Sequence, residues 1–152
     1  MQLSKFSDYA LRIVMHLASS PDQLLSTRQL AEIHGAKFNH LSKVSGWLVA
    51  NDYAHSLRGR GGGLRLARPP SEISLGHLLR QLEDDKPLVE CLGADGGQCR
   101  LSPACGLSTA LQTAQEAFFT ALDPITLESV TQLSPGMGNL LSALNAEALT
   151  LK

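Results

Sequence analysis

The chain has 152 residues, 43% hydrophobic and 18% charged, with a formal net charge of −1 and a mean hydropathy close to zero. This composition carries enough apolar residues for a genuine core and excludes a disordered, disulfide-stapled or membrane-embedded chain. The longest early apolar run, Ile13-Val14-Met15, ends at His16. That leaves neither a secretory segment nor a spanning helix, so a cytoplasmic protein with no membrane partner is expected.

The charge is unevenly spread. Residues 1–70 hold nine Lys/Arg against four Asp/Glu, and residues 71–152 hold four against ten. A basic front suggests contact with nucleic acid, against the plainer alternative of solvated surface charge. It also sets the expected organisation: a reading unit over 1–70, a linking helix, cysteine loop and long helix over 71–122, and a short helix with a loose tail over 123–152.

A first helix is predicted to open at Ser4, with Phe6, Tyr9, Ala10, Ile13, Val14 and Leu17 at helical spacing, and to end near Pro21. A short second helix begins at Ser26, carries Leu30, Ala31 and Ile33, and stops at Gly35. A third is expected over residues 39–51, with Leu41, Val44 and Leu48 facing a core and Asn39, Ser42, Lys43 and Gly46 turned away. Two helices joined by a glycine turn make a helix-turn-helix pattern, weak by itself.

The following segment sharpens it. Residues 53–57 and 64–67 read as strands around the basic turn Arg58-Gly59-Arg60-Gly61-Gly62-Gly63, closed by Pro69-Pro70. A hairpin directly after such a helix is a wing, giving a mainly α fold of winged helix-turn-helix type. Asn39, His40, Ser42 and Lys43 are candidates for reading bases; Arg12, Arg28, Lys37, Arg58, Arg60 and Arg65 are candidates for phosphate or wing contacts.

Beyond the wing, residues 74–83 form another predicted helix with Leu75, Leu78, Leu79 and Leu82 on one face. A long helix is expected from about 104 to 122, with the stripe Leu107, Leu111, Ala114, Ala117, Phe118 and Ala121. The stripe suits packing against a second copy, with burial against its own domain as the alternative. Between these helices lie all three cysteines: Cys91, Cys99 and Cys105, with Gly93, Gly96 and Gly97 in the intervening loop. Their number is odd and a disulfide would be unusual in a reducing compartment. Thiolate softness favours an iron-sulfur cluster or zinc over hard cations, with three free thiols as the remaining alternative. Spacing does not select among these. The five histidines show no ligand-like spacing. No phosphate loop or paired carboxylate is present, and the only His near the cysteines in sequence is His77, so an enzyme is not expected.

The opening MQLSKFSDYALRIVMHLA, the turn RGRGGGLRLARPP, the helix ISLGHLLRQLED and the three cysteines together resemble the winged-helix iron-sulfur regulators, the family that contains IscR and the nitric-oxide-responsive repressors. The similarity runs from the N-terminus to about residue 122. It implies a homodimer with a long dimerisation helix, double-stranded operator DNA as partner, and an iron-sulfur cluster, 4Fe-4S with 2Fe-2S as the alternative. In the IscR branch a His three residues after the third Cys completes the ligand set; here that position is Ser108. In the nitric-oxide-responsive branch the fourth ligand is an Asp in the first helix of the other subunit, and Asp8 stands at the matching place. Read from the sequence alone, Asp8 is equally a first-turn carboxylate favoured by the helix dipole, and Glu90 and Asp95 are rivals on the loop. The resemblance implies a repressor that releases DNA on exposure to nitric oxide. A regulator answering to iron, oxygen or redox state, or a winged-helix interaction module without DNA binding, are the alternatives.

Overall fold

The computed structural model describes residues 2–59, 61–84, 86–133 and 136–150. Its first helix, α1 (Lys5–Ser19), begins where the Ser4 hydroxyl accepts the Ser7 N–H at 3.1 Å. In α2 (Thr27–Ile33) the Ser26 hydroxyl accepts the Gln29 N–H while the Gln29 side chain accepts the Ser26 N–H, a capping box that satisfies two donors the helix leaves open. Gly35 turns left-handed, with φ 60°, and α3 (Phe38–Ala50) follows. These three helices close on one cluster. Ala10, Ile13 and Val14 of α1 meet Leu30 of α2 and Leu41, Val44 and Leu48 of α3, all fully buried. Each large member stabilises the fold by about 1.5–3 kcal/mol relative to exposure.

The wing is an antiparallel pair, β1 (Ala54–Leu57) and β2 (Gly63–Leu66), in the register Ala54↔Leu66, His55↔Arg65, Ser56↔Leu64 and Leu57↔Gly63. It has a third, one-residue member that the sequence reading did not foresee. Leu25, just before α2, exchanges backbone hydrogen bonds with Leu64 at 3.3 and 2.9 Å. A Cβ at position 63 would lie 2.7–2.9 Å from the backbone of residues 24 and 25. Only glycine lets the hairpin approach so closely, and this approach fixes the wing to the start of the helix-turn-helix.

After a 3-10 turn (Pro70–Glu72), α4 (Leu75–Glu83) buries Leu78, Leu79 and Leu82 as its spacing predicted, with Ser74 as cap. Then comes the cysteine segment, followed by α5 (Gly106–Leu122) and α6 (Leu127–Gln132). Ile73 and Leu127, joined by the Leu127 N–H donating to the Ile73 carbonyl at 2.9 Å, belong to the same core, so one cluster draws on both sides of Pro70.

The C-terminal segment differs from expectation. In place of a loose tail the chain forms α7 (Met137–Thr150), which packs on α1 and α2. Its burial rests on Leu141 and on a polar residue, Asn145, so the apolar periodicity that marks a packed helix is thin. Among the described residues, no helix is long and apolar enough to cross a membrane.

Candidate functional site

The reading face is built by α3. Leu41, Val44, Ser45 and Leu48 point into the core, which turns Asn39, Ser42, Lys43 and Gly46 outward. Lys37 is the N-cap and is exposed. Lys37, Asn39, His40 and Lys43 line a groove of about 360 Å³ together with Phe6. His40 is not a free side chain: its ring stacks 6.4 Å from Phe6 and meets Tyr9 edge-on at 5.3 Å, anchoring α3 to α1.

The remaining candidate cations are distributed around this face. Arg28 on α2 is exposed and lies over the Phe38 ring, 5.4 Å from its centroid. Arg58 projects from the wing turn and Arg65 pairs across the strands with His55; all three side chains are exposed. Arg60 lies outside the described residues. Arg12 is committed elsewhere, with Nη2 at 2.8 Å from Asp8 Oδ2 and Nε at 2.9 Å from Asp8 Oδ1. Two side chains that the sequence reading passed over also belong here. Phe38 is an exposed aromatic in the first turn of α3, and Arg68 stacks 4.8 Å from the Tyr53 ring centroid.

The cysteine segment links α4 to α5. Cys91 lies in a 3-10 turn (Glu90–Leu92), Cys99 in the following loop, and Cys105 at the N-cap of α5. All three are free and partly exposed. Gly96 and Gly97 are left-handed, with φ 70° and 61°, and a Cβ at 97 would meet Glu90 at 2.6 Å. The loop therefore winds on Glu90, whose carboxylate accepts the Gln98 N–H at 2.9 Å, while Asp95 accepts the Gly97 N–H at 3.3 Å. Both loop carboxylates thus hold backbone. Ser108, at the position where a His would sit in the IscR branch, hydrogen-bonds the Cys105 carbonyl at 2.8 Å. Among the described residues, no three His, Cys, Asp or Glu side chains are gathered at metal-binding separation.

Two devices frame this loop. At its entrance Glu83 accepts the Ser4 N–H at 3.0 Å and the Ser7 hydroxyl, and Lys86 reaches Glu83 at 3.5 Å and the Ser4 hydroxyl at 2.8 Å. Burial pushes the Glu83 carboxyl up, but these hydrogen bonds outweigh it and hold it below the usual carboxylate range. The loop entrance is thereby tied to the first turn of α1, the turn that carries Asp8. At the far end of α5, Arg80 of α4 grips Asp123 at 2.6 and 3.1 Å and Glu116 at 2.6 Å, which locks α5 onto α4 and holds both carboxyls below their usual range.

A helix-turn-helix whose second helix presents polar and cationic side chains, followed by a wing fastened to its start, defines a winged-helix protein of DNA-reading type. The profile of the Rrf2 family, described as iron-dependent transcriptional regulators, matches residues 3–132, and the chain belongs to that family. It is a transcription regulator, not an enzyme. The HTH-type transcriptional regulator NsrR of Bacillus subtilis is 39% identical over 133 residues, covering 87% of this chain and 91% of that one. The HTH-type transcriptional repressor NsrR of Streptomyces coelicolor is 41% identical over 138 residues, covering 90% and 92%. Among solved structures, CymR, the global cysteine regulator of B. subtilis, superposes with a TM-score of 0.66 at 23% identity, over 88% of this chain and 98% of that one. The IscR of T. potens does so with 0.67 at 22%, over 88% of each. These two likenesses show the fold.

Proposed function

We propose that this chain is a homodimeric, cytoplasmic repressor that holds operator DNA through α3 and the wing and senses nitric oxide through an iron-sulfur cluster. The observation that carries the sensing half is the cysteine segment. Three free, accessible thiols lie within one glycine-wound loop whose carboxylates are already used by backbone donors, in a chain 39–41% identical to the NsrR regulators above. Three soft donors fit an iron-sulfur group. Cys91, Cys99 and Cys105 would hold it, as 4Fe-4S by preference over 2Fe-2S, with Asp8 of the partner subunit as the fourth donor. When bound, the cluster supplies iron that nitric oxide attacks.

The chain's own residues do the rest. Arg28, Lys37, Arg58, Arg60 and Arg65 supply phosphate contacts, Asn39, Ser42 and Lys43 face base edges, and His40 braces α3 on α1. Arg12 positions Asp8. The division of labour follows the chain: residues 1–70 read, 71–122 sense and pair, 123–152 brace the reader from behind.

Partly exposed thiols also suit direct redox sensing through the same cysteines. One experiment separates the readings: the absorption spectrum of anaerobically purified protein, followed by gel-shift assays on its own promoter region before and after nitric oxide. A brown charge-transfer band and retardation lost on nitric oxide are expected. A colourless protein with redox-dependent binding would replace the cluster by thiol chemistry. No salt-dependent binding to any promoter fragment would make it an interaction module.

A further inference from the structure

The first turn of α3 carries a side chain that neither the core nor a cation-based reading of the groove explains. Phe38 is 45% exposed, although its neighbours Leu41 and Val44 are fully buried. It is held in place, not loose: the Arg28 guanidinium of α2 lies over the ring at 5.4 Å. Its neighbours in sequence, Lys37 and Asn39, are exposed and line the groove described above together with Phe6, His40 and Lys43. A partly exposed aromatic ring, covered by the Arg28 guanidinium and next to Lys37 in the chain, suits a partner that offers an apolar contact inside a field of negative charge.

We propose that Phe38 is a specificity-determining residue that packs against the 5-methyl group of a thymine in each half-site, with Arg28 as the residue that positions it. A recognition helix enters the major groove by its N-terminal residues, which places position 38 among those that meet base edges. A phenyl ring can neither donate nor accept a conventional hydrogen bond, so it is blind to the donor and acceptor pattern of the bases. The one apolar group that the major-groove edges present is the thymine methyl. Arg28, near the start of α2, is placed to meet a backbone phosphate while its guanidinium covers one side of the ring. Phosphate contact and methyl contact would then form together.

This inference rests on the DNA-binding reading above, and the test keeps the two apart. Wild-type holoprotein, kept anaerobic, first selects duplexes from a random pool. Each thymine of the selected duplex is then replaced by uracil, which removes only the methyl. At one thymine per half-site the replacement should weaken wild-type binding about four-fold, the loss expected for one buried methyl group. Phe38→Ala should bind the thymine and uracil duplexes equally, Phe38→Leu should keep part of the preference, and Arg28→Gln should shrink it together with the salt slope. Melting curves of the variants should match wild type, since the side chain is exposed. If every uracil penalty survives in Phe38→Ala, or wild type shows none, the methyl contact is wrong while DNA binding stands. If wild type selects no duplex, the DNA-binding reading falls, and this one with it.

Discussion

Asp8 has two competing prospects within one turn of α1. In the single chain it is bound to Arg12, but both side chains are about half exposed, 46% for Asp8 and 49% for Arg12. A solvent-screened i,i+4 pair of this kind contributes only about 0.3–0.5 kcal/mol, so a metal on a neighbouring subunit would displace it readily. Asp8→Ala should therefore fold and dimerise, keep a cluster on three thiolates, show an altered charge-transfer spectrum, and lose much of the difference in operator affinity between holo and apo forms. Cys99→Ala should lose the cluster outright. Anaerobic spectra and binding at one salt concentration measure both; an unchanged spectrum and affinity ratio in Asp8→Ala would return that residue to a plain helix-start role. At this scale the gathering of the three cysteines between α4 and α5 could be read directly, because they are close in sequence, while the roles proposed for them and for Asp8 rest on the resemblance. It was not legible for Phe38, because an aromatic at helical spacing looks like core until its exposure is known. Nor was it legible for Glu83, whose partners Ser4 and Ser7 lie more than seventy positions away.

Helix starts were readable because capping is local: Ser4, Ser26 and Ser74 each accept a backbone N–H three residues on. Which face an element buries is a tertiary question, and α5 shows why. Its stripe left open two destinations, its own domain or a second copy. In the structure Phe119 alone is buried on this helix, its ring lying under the guanidinium of Arg80 of α4, while Leu107 is 65% and Phe118 36% exposed. Leu107, Leu111, Ala114, Phe118 and Ala121 recur at alternating steps of four and three, so they share one side of α5. A pairing of two such faces would bury it. If the proposed dimer pairs through this face, Leu107→Glu with Phe118→Glu should convert it to monomer in sedimentation without lowering helicity, because the Arg80 lock that holds α5 on α4 is untouched. A double variant that stays dimeric would place the interface on another element. The wing was legible down to its turn for the same local reason as the caps, whereas its tether to Leu25 was not, since a single bridging residue leaves no pattern.

At the scale of the whole molecule, the helix missed in the sequence closes a buried relay. His16 is fully buried; its Nε2 lies 2.7 Å from Asn145 Oδ1 on α7, and its Nδ1 lies 3.2 Å from His34 Nε2 at the end of α2. Asn145 passes its amide protons to Ser20 at 3.3 Å and Gln23 at 3.1 Å. Each of these contacts pairs a donor with an acceptor when both rings are neutral: His34 donates to His16, His16 donates to Asn145, and the amide donates onward. The histidines are eighteen positions apart and their partner is more than a hundred further on, so no spacing rule could join them. A second proton on His16 would set donor against donor. Burial lowers His16 below the usual value, and burial, then His16 and Arg12, pull His34 down to about 4, against 6.5 for an ordinary His. The unfolded chain thus binds protons between about pH 6.5 and 4 that the folded chain refuses. This contribution to stability is complete above 6.5 and is lost progressively as pH falls toward 4. Across that window the folded form should lose on the order of 2 kcal/mol from His34, allowing for its partial exposure. Urea unfolding of wild type and His34→Asn at pH 7.5 and 4.5 measures it. The variant should be less pH-sensitive than wild type, and α7 should be the first helix to lose amide protection in acid. Equal pH sensitivity in the two proteins would show that the relay is not what couples the C-terminal helix to the reader.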